Sequence, residues 1–209
     1  NSQGALTVHI GSNGKINANT NSGYLFSYIG YADICTAQET ITNLNLLNTS
    51  NVTWMSFMFD STGYTAMTKL DLGDNFDTSN VTHMNHMFNL CGLRKMTSLN
   101  LGDKFNTSKV NEMTQMFYGC GMYSMESLNL GMNFYTNNAS SMYAMFANCG
   151  ARAMTTLDLG PAFTRIAVAN SDSKSVFSGT GKSGAIIYAP EAIYKNSTSF
   201  KLSSTDTST

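Results

Sequence analysis

The sequence predicts an α/β solenoid, in which short coils of similar sequence stack side by side around one apolar interior. The first observation is a repeat: in the middle of the 209-residue chain, leucines recur every 29 residues, at Leu70, Leu99, Leu128 and Leu157. The second is that each repeat combines two hydrophobic spacings, one typical of a strand and one of a short helix. A single coil of this kind cannot bury its own apolar side, so the coils have to stack.

The strand of each coil is predicted from a Leu-x-Leu pair. Leu99 and Leu101 alternate with polar residues, so the leucines face inward and the polar residues face outward. A glycine follows each pair and ends the strand. Strands of neighbouring coils should form one parallel sheet. Because parallel strands joined by crossovers wind right-handed, the array is predicted to be right-handed.

The rest of each coil is predicted to return as a short α or 3-10 helical segment. A Thr-Ser turn after Phe105 can cap a helix by accepting hydrogen bonds from backbone N–H groups. Four apolar residues then follow at positions i, i+3, i+6 and i+7, the spacing of one helix face. They are Val110, Met113, Met116 and Phe117. A Cys-Gly corner leads to the next strand.

These repeats divide the chain into an array with an atypical cap at each end. In the N-terminal cap, Leu25 and Phe26 are predicted to occupy the Met-Phe positions of a degenerate repeat. Terminal repeats of solenoids are commonly atypical because they close the core. The predicted divisions are an N-terminal cap at 1–40, a first repeat at 41–69, regular repeats at 70–98, 99–127 and 128–156, a truncated repeat and cap at 157–195, and a Ser/Thr-rich tail or linker at 196–209.

Composition narrows the class of partner and the location. The chain has 12 basic and 13 acidic residues and a formal charge of -1, so no nucleic-acid partner is expected. Only 12% of residues are charged, against roughly 25% in ordinary soluble domains. Asn, Ser, Thr and Gly supply the polarity, as in exported bacterial surface proteins and phage fibres. No stretch approaches the roughly 18 apolar residues of a membrane helix. We expect a mature extracellular fragment without a visible signal peptide and without direct membrane insertion.

Three segments carry a resemblance to a known family. They are "NTSNVTWMSFMF", "FDTSNVTHMNHMF" and "FNTSKVNEMTQMF", each followed by a Cys-Gly or Thr-Gly corner and then Leu-x-Leu. They closely resemble the repeat of BspA-like leucine-rich-repeat surface proteins, the mycoplasma-type lipoprotein repeat family, over residues 41–160. The resemblance implies a leucine-rich-repeat array at the bacterial cell surface that acts in adhesion to host or matrix molecules rather than in catalysis. Repeats of that family are commonly shorter than this one.

The two histidines of "HMNH" are candidates for a metal site. His83 and His86 have a spacing that brings both near one ion on a helix, and imidazole is a common metal ligand. Their methionine neighbours are predicted to point inward, which leaves the histidines on the outside. The residue pairs in the same register carry no matching ligand chemistry. We therefore predict solvated surface, no metal site and no cofactor.

Cysteine chemistry and phosphate binding are also expected to be absent. Cys91, Cys120 and Cys149 recur in register and should stack as a column of buried free thiols, with one disulfide as the alternative. Cys35 is out of register and has no assigned role. "GTGKSG", at 179–184, lacks the spacing of a phosphate loop and is predicted to be a corner of the last coil. No catalytic residue is predicted, and the protein is not expected to be an enzyme.

Two surfaces are candidates for ligand binding. The helical side carries residues that differ between coils and include aromatic side chains, the kind of variation by which a repeat scaffold adapts to a partner. Its candidates are Trp54, Phe57, His83, His86, Glu112, Gln115 and Tyr143. The sheet face carries polar columns, with solvated polar filler as the alternative interpretation. Its candidates are Asp71, Asn100, Asn129 and Asp158.

The function expected from these features is a non-enzymatic bacterial cell-surface adhesion module. Its ligand would be a protein or a glycan of unknown identity. The alternative is a structural spacer or fibre module that presents another domain.

Overall fold

The computed structural model describes residues 7–11, 13–31, 40–167, 175–191 and 193. This part of the chain is a β-solenoid of about six coils with parallel strands. The strands are β1 (Thr7–His9), β2 (Ile16–Asn17), β3 (Thr40–Thr42), β4 (Leu47–Asn48), β5 (Lys69–Asp71), β6 (Ser98–Asn100), β7 (Ser127–Asn129), β8 (Thr156–Asp158) and β9 (Ile186–Tyr188). Cys35 and the predicted tail at 196–209 lie outside the described residues.

All strand pairs are parallel, as predicted, but the described strands form four short sheets rather than the one sheet expected. β1 pairs with β3, β2 with β4, β5 with β6, and β8 lies between β7 and β9. In the register of these ladders, Leu70 is opposite Leu99 and Leu128 is opposite Leu157. The predicted inward orientation of the Leu-x-Leu pairs is confirmed, because both leucines of each pair are buried.

The predicted helical return is not found in the described residues, so the solenoid is confirmed but the α/β class is not. Within 40–167 the only helix is one 3-10 turn, Leu44–Leu46, and the return segments are runs of turns. Alternate N–H groups leave the coil: those of Met84 and His86 bond to the carbonyl oxygens of the next coil at 2.9 Å. An α-helix would keep these donors within the segment. No helix in the described residues is long and apolar enough to cross a membrane.

Left-handed backbone at fixed positions explains why a helix does not form. Met58 N–H bonds to Met55 C=O across a turn whose third residue, Phe57, has a φ of 63°. Such turns require positive φ at that position, whereas a right-handed helix requires negative φ. The residues in the same column all share positive φ. They are Tyr24, Phe57, His86, Gln115 and Ala144.

The core is built from columns of identical side chains. The predicted inward face of the return segment is confirmed, since Val110, Met113, Met116 and Phe117 have no exposed surface. Six phenylalanine rings form one stacked column with neighbouring centroids 5.2 to 5.5 Å apart. They are Phe26, Phe59, Phe88, Phe117, Phe146 and Phe177. Leu25, which was expected to face inward with Phe26, is 47% exposed.

A buried threonine column replaces the helix caps predicted from the Thr-Ser turns. Thr107 is 1% exposed, and its Oγ1 donates to the carbonyl oxygen of Tyr135 in the next coil at 2.7 Å. Thr78 Oγ1 donates to Asn106 C=O at 2.9 Å and accepts from Asn106 N–H at 2.7 Å. These hydroxyls therefore join coils to one another, because a buried backbone group needs a hydrogen-bond partner.

Candidate functional site

Five rings form two separate stacks on the outside of the N-terminal coils, together called the aromatic band here. In one row, Trp54 stacks on His83 with centroids 4.1 Å apart and 16° between the ring planes. In the other, Phe57 lies between Tyr24 at 4.7 Å and His86 at 4.5 Å, with planes within 8° of parallel. The structure thus brings together four of the residues predicted from the sequence and adds Tyr24.

The backbone sets the spacing of the band. Trp54 forms single parallel bridges with Asn21 on one side and His83 on the other. Hydrogen-bonded neighbours in a sheet lie about 4.8 Å apart, which is close to the contact distance of two stacked rings. Aromatic side chains in the same register are therefore placed at stacking distance. Trp54 keeps 38% of its surface exposed and Tyr24 keeps 57%.

The predicted site residues in later coils do not extend the band as rings. Glu112 follows His83 in the same ladder, and Ser140 Oγ donates to its carboxylate at 3.0 Å. Gln115 follows His86 in the column of positive φ. Tyr143 is 50% exposed but lies outside both rows, and its carbonyl oxygen accepts from Gln115 N–H at 2.8 Å. The predicted residues of the helical side therefore form a cluster of rings in the N-terminal coils, which Glu112 and Gln115 continue as polar side chains.

A buried carboxylate lies beside the aromatic band, and the sequence analysis did not identify it. Asp60 is 4% exposed and accepts from Asn89 Nδ2 at 2.7 Å. The Tyr28 hydroxyl also hydrogen-bonds to Asp60, and the charge of this carboxylate is the main reason why the pKa of Tyr28 is raised. The segment "GYLFSYIGY", which contains Tyr28, was the sequence feature that could have pointed to Asp60. Its coil precedes the coil of Asp60 with an offset of 33 residues instead of 29, as the Thr53 to Thr20 bond shows.

The two histidines are half-buried rather than fully solvated. Burial lowers the pKa of His86, and the nearby charge of Asp60 opposes that shift only in part. His83 Nδ1 lies 2.8 Å from Thr82 Oγ1, which fixes the ring plane against Trp54. Among the described residues, no group of three His, Cys, Asp or Glu side chains is arranged to hold a metal ion.

On the sheet face, the predicted ligand-binding side chains already have internal hydrogen-bond partners. Asp71 Oδ1 accepts from Gly73 N–H at 3.0 Å, and Asn100 Oδ1 accepts from Gly102 N–H at 3.1 Å. Asn100 Nδ2 also donates to Asp71 Oδ1 at 2.9 Å. Asn129 and Asp158 bond to their own glycines in the same way. These side chains support the turn after each strand, as Asx turns do.

The described cysteines are unsuited to nucleophilic chemistry. Cys91, Cys120 and Cys149 are free and fully buried, which confirms the predicted column of buried thiols. Burial raises the pKa of all three thiols. Since the thiolate is the reactive form, this column contributes packing.

Comparison with known proteins gives one family. No curated protein and no solved structure shows significant similarity to the chain. The model of the family described as "Mycoplasma protein of unknown function, DUF285" matches residues 32–157, which is more than half of the chain and includes Trp54, Phe57, His83 and His86. The chain therefore belongs to this mycoplasma repeat family.

Proposed function

We propose that the protein is a non-enzymatic binding module, displayed outside a bacterial cell, that adheres to host, matrix or glycan ligands through the aromatic band. The observation that supports this proposal is the pair of ring stacks in which Trp54 lies on His83 and Phe57 on His86, with Trp54 38% exposed. Rings already fixed by their neighbours lose little conformational freedom when a ligand covers them, so their contact area contributes efficiently to affinity.

The chemistry beside the band fits a ligand with both apolar faces and hydroxyl or amide groups. Trp54 and Tyr24 offer exposed ring surface, while Asp60 and its partner Asn89 supply polar groups near His86. Sugar rings and peptide segments both present such mixed surfaces. An enzymatic role has no comparable support, since the described thiols are buried and their pKa values are raised.

The test is a glycan and matrix-protein array probed with the wild-type chain, with Trp54→Ala, and with Tyr188→Ala as a matched control. Tyr188 is an exposed aromatic residue at the other end of the solenoid, 54% exposed. We expect wild type and Tyr188→Ala to bind the same components, and Trp54→Ala to lose most of the binding to uncharged glycans and matrix proteins. If the wild-type chain binds no component, the adhesion proposal fails.

The alternative proposal is a structural spacer or fibre module. It is favoured by the sheet face, where Asp71 and Asn100 use their polar atoms for internal hydrogen bonds. A spacer needs a regular rod and no ligand. Absence of binding by the wild-type chain to every component of the array would therefore support the spacer.

We also propose the finer assignment to BspA-like leucine-rich-repeat surface proteins and a right-handed winding of the coils. The motif residues quoted above and the general handedness of parallel crossovers support both. An experimentally phased structure of the chain tests the winding directly, and left-handed coils would contradict it.

A further inference from the structure

The corners that follow each Cys-Gly or Thr-Gly step form a second surface, separate from the aromatic band. We call this surface the basic corner, and it comprises residues 63–66, 92–95, 121–124, 150–153 and 181–184. Backbone hydrogen bonds align these segments along the solenoid. Gly121 N–H bonds to Cys91 C=O at 3.0 Å, and Arg152 N–H bonds to Met122 C=O at 2.9 Å.

Charge is segregated onto this edge. The five segments contain Arg94, Lys95, Arg152 and Lys182 and no Asp or Glu, although the whole chain has a net charge of -1. All four basic residues are exposed. A row of charges of one sign attracts ligands of the opposite sign and raises their rate of association. Net charge alone therefore underestimates the attraction of this protein for an anion.

Two of the basic residues are held over tyrosine rings. Arg94 Cζ lies 5.9 Å from the ring centroid of Tyr64, and Arg152 Cζ lies 5.8 Å from that of Tyr123. Both distances are within the range of a cation–π contact, about 6 Å. Because these contacts orient the guanidinium groups in advance, less freedom is lost when an anion binds.

Each of the two arginines lies over a tyrosine of the preceding coil. Arg94 and Arg152 occupy the same corner position two coils apart, which corresponds to about 10 Å along a parallel sheet. Tyr123 lies between them in the sequence register and is 49% exposed. Of the two tyrosines, Tyr123 is in line with the arginines, whereas Tyr64 is one position earlier in its corner.

We propose that the basic corner binds an extended acidic glycan, one that carries sulfate or carboxylate groups. Guanidinium groups pair with both kinds of anion in a bidentate manner, and the exposed face of Tyr123 suits a sugar ring. A linear acidic polysaccharide carries charges along its whole length, so one chain can reach the basic residues of several coils. This site goes beyond the adhesion surface proposed above, since it uses other residues and selects ligands by charge.

The test is calorimetric titration of the whole chain with a heparin oligosaccharide, a hyaluronan oligosaccharide and a neutral chitin oligosaccharide. We expect heparin or hyaluronan to bind, chitin not to bind at this site, and affinity to fall as salt screens the charges. The double variant Arg94→Gln/Arg152→Gln should lower the affinity roughly tenfold or more, as expected for the loss of two charge-assisted contacts. The matched control Lys104→Gln/Lys109→Gln removes two positive charges outside the basic corner. It should change the affinity for the acidic glycan by less than about twofold.

Further variants separate this proposal from the adhesion proposal and from misfolding. Trp54→Ala should keep heparin binding, because the aromatic band is not involved. Arg94→Lys/Arg152→Lys keeps the charge and should give an intermediate loss, since lysine lacks the planar fork. Thermal unfolding verifies that each variant is folded. The proposal is overturned if neither acidic glycan binds, if the lysine control loses as much affinity as the arginine variant, or if polyglutamate or single-stranded DNA binds more tightly.

Discussion

The indole of Trp54 and the imidazole of His83 lie face to face, with centroids 4.1 Å apart and 16° between their planes. They are partners in one parallel bridge between neighbouring coils. The stack is therefore a direct product of the repeat register, and it covers one face of the indole while the rest remains accessible.

This stack can be observed in solution, because Trp54 is the single tryptophan of the chain. Replacing His83 by alanine removes the ring that covers the indole, so water gains access to that face. We expect the emission maximum of His83→Ala to move to longer wavelength and acrylamide to quench it more strongly. Glu112→Ala, which changes the next residue in the same ladder, should leave both unchanged. Identical emission from His83→Ala and wild type would show that the rings do not stack.

The inward side chains were predictable from the sequence, whereas the backbone conformation was not. Val81, Met84 and Met87 face the core in the structure, and their spacing fits both a helix and a run of turns. A helix and a run of turns differ in the hydrogen-bond acceptor of each backbone N–H group. Met84 N–H bonds to Glu112 C=O in the next coil, and the spacing of apolar residues does not encode this choice.

The candidate site was likewise predictable from the sequence only in part. Stacking of Trp54 on His83 and of Phe57 on His86 follows from the 29-residue register once the coils are known to stack. The contribution of Tyr24 does not, because its coil is offset by 33 residues, as in the Thr53 to Thr20 bond. Longer offsets at the ends of an array hide such partners from a search at one fixed period.

The threonine column predicts a graded loss of stability. Thr78→Val leaves both Asn106 N–H and Asn106 C=O without the hydroxyl, whereas Thr107→Val removes only the bond to Tyr135 C=O. An unpaired buried polar group costs about 1 to 3 kcal/mol, so both variants should unfold at lower denaturant concentration, and Thr78→Val at the lower one. Thr107→Ser retains the hydroxyl and should be closer to wild type. The opposite order of the two valine variants would contradict the double role of Thr78.

The buried thiols predict slow labelling. Because burial raises the pKa of Cys91, Cys120 and Cys149, little thiolate is present near neutral pH. We expect a Cys35→Ser variant to react with a thiol reagent such as DTNB only slowly when folded, and with three thiols per chain after unfolding in guanidinium. Rapid labelling of the folded variant would mean that the column is open to solvent.

His86 predicts a loss of stability on acidification. Burial lowers its pKa below the ordinary value of 6.5, so the unfolded chain binds a proton at higher pH than the folded chain does. Stability therefore falls as pH drops through the window below 6.5 and becomes level once pH is below the folded pKa.

His86→Gln lacks this proton and should lose less stability over the same window. Asp60, whose charge acts on His86, remains in both proteins, so the difference between their two curves of unfolding midpoint against pH isolates the histidine. The measurement is the unfolding midpoint of each protein across about pH 7.5 to 5, where histidines titrate. Parallel curves would show that His86 is not shifted.

The left-handed turns can be tested at two residues that share a φ of 53°. They are Gln115, in the column of positive φ that contains Phe57 and His86, and Gly121, at the corner. A Cβ atom at Gly121 would lie 2.5 Å from Met125 Cβ. Left-handed backbone costs a non-glycine residue about 1 to 2 kcal/mol, so Gly121→Ala should destabilise by more than this.

At Gln115 the test compares the stabilities of two variants that both remove the polar side chain. Gln115→Gly should be the more stable of the two at positive φ, while Gln115→Ala would be the more stable by about 1 kcal/mol if this segment were helical. Chemical denaturation of both variants therefore decides between consecutive turns and the helical return, and a more stable alanine variant would contradict the turns.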